Sequence, residues 1–99
     1  MLKITDLFML KLCSDGAAYE AKPKNRTNVD ILSVTDEVKD LLKMTVRVSL
    51  PAMLILEGDD GKIVNIFPSG RLLLRKFPSE EDAEEITKIL SSLLYSQDT

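Results

Sequence analysis

Three carboxylates, one thiol and two groups of cations are the side chains here whose type and spacing can support chemistry. Glu57, Asp59 and Asp60 are close enough in sequence to share a cation, but Gly58 and Gly61 make the same stretch a turn. There is no histidine, which removes the commonest general base and the commonest metal ligand. The single cysteine, Cys13, therefore has no imidazole to activate it. It follows the apolar run Leu7 to Leu12 and reads as a small buried thiol. No phosphate-binding loop, dinucleotide fingerprint or zinc spacing is present. The expectation is a protein that is not an enzyme and takes no cofactor and no metal.

The cations offer a different chemistry. Lys22, Lys24 and Arg26 lie together, and Arg71, Arg75 and Lys76 form a second group. Basic side chains in such groups make phosphate contacts, the main source of nucleic-acid affinity. The chain as a whole is acidic, with a net charge of −3 and a pI near 4.9. A basic face can still act locally within an acidic protein.

The elements that must position these groups fit one domain, residues 1–99. Hydrophobic residues make up 44% of the chain and aromatics only 5%, so the core must be aliphatic. With one cysteine there is no intrachain disulfide. No apolar stretch approaches the ~20 residues of a membrane span, and the first residues do not read as a signal peptide. The expected setting is cytoplasmic, with no membrane partner.

Leu2 to Cys13 reads as a strand, with Leu7, Met9, Lys11 and Cys13 on one face; a short helix is the alternative. Residues 14–28 read as a long mobile loop holding the Asp15-Gly16 turn signal. A helix follows, from about Asp30 or Thr35 to Lys43. Thr45 to Leu50 alternates as a strand, Pro51 interrupts it, and Ala52 to Glu57 continues extended. Gly58 to Lys62 is a hairpin turn, Ile63 to Phe67 a strand, Pro68-Ser69-Gly70 a second tight turn, and Arg71 to Phe77 another strand. Ser79 is placed to cap a last helix, with Asp82 three residues on and Glu80 to Asp82 complementing the dipole. Ala83, Ile86, Ile89, Leu90, Leu93 and Leu94 give that helix a broad apolar stripe. Ser96 to Thr99 reads as a frayed tail. The order predicts an α+β fold with two helices on one face of a curved antiparallel sheet.

The second half of the chain resembles one repeat of the TATA-box-binding protein family. The resemblance rests on Phe67-Pro68-Ser69-Gly70-Arg71, the strand Leu72 to Lys76, and Ser79-Glu80-Glu81-Asp82, with the spacing from glycine to cap kept without a gap. It reaches back to about Leu50, while the first half agrees in element order. It implies a half-saddle, a curved sheet whose concave face binds the DNA minor groove and drives phenylalanine wedges between base steps. The chain holds one repeat, so a full saddle implies a homodimer.

The resemblance assigns Leu50, Leu54, Leu56, Ile63, Asn65, Phe67 and Leu73 to the concave sheet face. Phe67 falls on one wedge position and Leu50 on the other. Arg75 stands where the family has a small threonine, and Ser49 and Leu56 stand where it has arginines; only Arg71 keeps a basic position. Losing those phosphate contacts argues against the family's mode of DNA binding. An apolar sheet face of this size needs covering. The expected role is a non-catalytic protein-interaction or regulatory module, its sheet covered by a second copy or a protein partner. The alternative is a nucleic-acid binder, minor-groove or single-strand, using Lys22, Lys24, Arg26, Arg71, Arg75 and Lys76.

Overall fold

Seven strands and two helices make up the fold in the computed structural model, which describes residues 2–4, 7–13 and 18–95. They are β1 (Leu2–Ile4), β2 (Phe8–Leu12), β3 (Ala18–Pro23), α1 (Ile31–Leu42), β4 (Thr45–Leu50), β5 (Met53–Glu57), β6 (Ile63–Ile66), β7 (Leu72–Arg75) and α2 (Glu80–Leu94). The strands form one antiparallel sheet in the order β1-β2-β3-β7-β6-β5-β4. This is the expected α+β class. The Asp15-Gly16 turn and the tail from Ser96 to Thr99 lie outside the described residues.

Strand alternation divides the sheet into two unlike faces. Leu54, Leu56, Val64, Ile66, Leu72 and Leu74 are completely buried. They share one cluster with Phe8, Leu10 and Ala21, with Ile31 and Val38 of α1, and with Ala83, Leu90 and Leu94 of α2. Both helices therefore cover this face. Each such side chain contributes roughly 1.5–3 kcal/mol of transfer free energy, set against the entropy of ordering.

Local signals explain the ends of the elements. The Ser79 hydroxyl accepts from the Asp82 amide at 3.2 Å, so α2 begins on the residue the sequence marks. The part of α2 nearest the sheet is more polar than its apolar stripe predicts. Thr87 and Ser91 are buried there, and Ile86, Ile89 and Leu93 only partly so. The hydroxyls are satisfied within the helix: Thr87 donates to the Ala83 carbonyl at 2.8 Å and Ser91 to the Lys88 carbonyl at 2.8 Å. Helix α1 starts at Ile31, the earlier of the two expected positions, and closes on Lys43 with a left-handed φ of 56°.

The structure corrects three expectations. First, Leu2 to Cys13 holds two strands, β1 and β2, rather than one. Second, the segment read as a loop over 14–28 contains β3, which lies between β2 and β7. Its pattern is short: Tyr19 and Ala21 join the core while Glu20 and Lys22 face away. Third, Pro51 does end the strand, as expected, but Ala52 does not continue extended. Pro51 and Ala52 form a two-residue turn, and Leu50 pairs directly with Met53.

Candidate binding surface on the open sheet face

That third correction changes the surface. Residues paired across a hairpin share a face, so Leu50 takes Met53, Ile55 and Glu57 to its side. Leu54 and Leu56, assigned to the concave face by the resemblance, are carried to the other side. They are 0% exposed beneath the helices and are not surface residues. The family pattern, carried through Pro51, put them on the wrong face, just as a one-residue slip flips every side chain.

Leu50, Ile63, Asn65, Phe67 and Leu73 do lie on the face that the helices leave open, at the alternate positions to the core leucines. Leu50 is exposed, while Ile63, Phe67 and Leu73 are half-buried. The register supplies neighbours that sequence reasoning missed: Met53, Ile55 and Val48 on one side, and Met9, Lys11 and Glu20 on the other. Met9 and Lys11 were readable, since the expected strand face included them. Met53 and Ile55 were hidden by the misplacement of Leu54 and Leu56.

Asn65 sits in the middle of this face. Its cross-strand neighbours are Leu73 and Ile55. It is only 5% exposed, and Oδ1 has no hydrogen-bond partner among the described residues. Nδ2 reaches the Met53 thioether at 3.8 Å, a weak acceptor.

Charge is gathered at one edge of the apolar area. The Arg71 guanidinium lies 5.0 Å from the centroid of the Phe67 ring, a cation–π arrangement. Its Nε donates to the Glu20 carboxylate at 2.5 Å. That hydrogen bond, with Lys22, Arg71 and Lys11 nearby, holds the Glu20 carboxyl below the usual glutamate range against the opposing effect of burial. Lys11 approaches the other carboxylate oxygen at 3.8 Å. Met9, Lys11, Glu20 and Lys22 line a shallow depression here. At the opposite edge Arg47, at an irregularity in the β4 register, donates to Glu57 at 2.8 Å.

The remaining expected cations are placed elsewhere. Arg75 is exposed on the open face, beside Ile63. Lys24 and Arg26 are exposed in the connection leading to α1, which is tied down where the Val29 amide donates to the Pro68 carbonyl at 2.7 Å. Lys76 has turned away from Arg75. It adopts a left-handed φ of 59° and lines a depression with Tyr19, Leu74 and Phe77 on the helix side. The second basic group is therefore split between two faces.

The acidic turn is committed to its own structure. The Lys62 amide and ammonium both donate to Asp60, at 3.2 and 3.1 Å, and the hydrogen bond from the backbone amide first of all holds its carboxyl below the usual range. Among the described residues no three His, Cys, Asp or Glu side chains are grouped to hold a metal ion. Cys13 is half-buried rather than fully buried. Among the described residues no helix is long and apolar enough to cross a membrane.

Charge also divides between the layers. On or reaching the open face, Lys11, Lys22, Arg47, Arg71 and Arg75 outnumber Glu20 and Glu57 by three. The two helices carry eight carboxylates against Lys39 and Lys88. No family model, no curated protein and no solved structure matches the chain.

Proposed function

We propose that this chain is a non-catalytic binding domain, a protein-interaction or regulatory module whose open sheet face is its working surface. The observation that carries this reading is the contrast between the two faces. One is sealed by both helices; the other presents Leu50, Met53, Ile55, Ile63, Phe67 and Leu73 around a buried amide whose oxygen has no partner among the described residues. Soluble monomers rarely leave a contiguous apolar area of this kind uncovered. A second copy or a protein partner covers it. We read the architecture as a half-saddle like that of the TATA-box-binding protein family. Supporting it are the order strand, helix, four strands, helix from β3 to α2 and the Gly70 turn and Ser79 cap at the family's spacing. A cytoplasmic setting goes with this reading.

Light scattering with a hydrophobic dye tests it. The expected result is a mass above one chain, or a single chain that binds the dye and loses that binding on Leu73→Glu. A single chain that leaves the dye unbound contradicts the reading.

The basic excess on the open face favours a second reading, a nucleic-acid binder working through Arg71, Arg75 and Lys22 with Lys24 and Arg26 alongside. Binding of mixed DNA or RNA would then weaken steeply with salt. It would also fall on Arg75→Ala. No binding at low salt removes this reading.

A further inference from the structure

We propose that the occupant of the open face is a second copy of this chain, packed face to face about a two-fold axis that runs along β6 and brings Asn65 against its own counterpart. The inference rests on the open face being the binding surface and names what covers it.

Asn65 supplies the first argument. A carboxamide both donates and accepts, so two of them related by a two-fold axis satisfy each other. Here, among the described residues, Oδ1 is buried without a partner and Nδ2 meets the Met53 thioether. Leaving such a group unsatisfied is costly, and an amide in apolar surroundings is also a device that fixes register. The neighbouring Met53 side chain is half-buried and unbranched, so it can swing aside to admit the second amide.

The register supplies the second. One row across the sheet reads Leu73, Asn65, Ile55, and the next reads Arg75, Ile63, Glu57. An axis along β6 exchanges the two sides of each row. Leu73 then meets Ile55 of the other copy, Ile63 meets itself, and Arg75 meets Glu57. An axis along β7, the middle strand, instead sets Arg75 against Arg75, a like-charge contact. Between these two axes charge complementarity selects β6, with Glu57 shared between Arg75 of the other copy and its own Arg47.

The extent of overlap supplies the third. The β6 axis sets β3 through β4, five strands of the seven, over their counterparts in the second copy. Strands of the two sheets run nearly aligned, as in a β-sandwich.

Sedimentation of the full chain over a wide concentration range tests the proposal, with circular dichroism to verify folding. Wild type is expected to form a dimer. Arg75→Glu and Glu57→Arg are each expected to weaken it about tenfold or more, and the double variant to recover most of the loss. A wild-type monomer, a dimer indifferent to both single changes, or a double variant no tighter than the singles overturns the proposal. If the monomer binds hydrophobic dye or nucleic acid through Leu73 or Arg75, only the second copy is wrong. If it binds neither, the open face is not a binding surface at all.

Discussion

The Tyr95 hydroxyl donates a hydrogen bond to the Gly70 carbonyl at 2.5 Å, tying the end of α2 to the turn between β6 and β7. Tyr95 is 5% exposed, and burial raises its phenol above the ordinary tyrosine range. Tyr95→Phe removes the donor and leaves the carbonyl unpaired, at an expected cost of about 1–3 kcal/mol in chemical denaturation. The un-ionised phenol is the form the fold favours. Its contribution is therefore complete below about pH 10, the unfolded value, and is lost as pH rises beyond it. Tyr95→Phe should flatten that alkaline decline.

Gly70 meets a second constraint. Its φ is +88°, and a Cβ there would lie 3.0 Å from both Pro23 and Thr27. Gly61 has a similar φ of +90° with nothing within 4 Å of such a Cβ. Gly61→Ala should cost about 1 kcal/mol, the left-handed strain alone. Gly70→Ala should cost distinctly more in thermal or urea unfolding. Equal costs would mean that the connection holding Thr27 yields freely.

The Glu20–Arg71 pair makes an acid-side prediction. The folded carboxyl is held below the unfolded value of about 4.3, chiefly by the Arg71 hydrogen bond. Its stabilisation is present above that value and is lost as pH falls through the lowered folded one. Glu20→Gln should be less stable than wild type at neutral pH by roughly 1–2 kcal/mol. The gap should close in acid. A gap independent of pH would show that the charge contributes nothing.

The two sheet faces should answer differently to truncation. Leu54→Ala, beneath the helices, should cost about 2–5 kcal/mol. Leu73→Ala, half-buried on the open face, should cost the isolated fold much less. Similar losses at low protein concentration, measured by urea unfolding, would contradict the assignment of faces.

Much of this was legible in the chain because its signals are local. Ser79 and Asp82 set the start of α2, and Gly70 a positive-φ turn, within a few residues. The α+β class followed from element order. What escaped was non-local or ambiguous. Strand β3 carries only two core residues, Tyr19 and Ala21, among turn formers and charges. Pro51 interrupts a strand and turns a hairpin with equal ease, and the family pattern carried across it put Leu54 and Leu56 on the wrong side. Asn65 could be placed on a face from alternation. Its burial and unpaired oxygen depend on Met53, Leu73 and Ile55 arriving from other strands.

Whether a binding partner covers the open sheet face is decided by the solution mass of wild type beside Leu73→Glu. A folded wild type above the 11.1 kDa of one chain and a folded Leu73→Glu variant at that mass are expected. Two equal masses, with both proteins folded and neither binding hydrophobic dye, would contradict it.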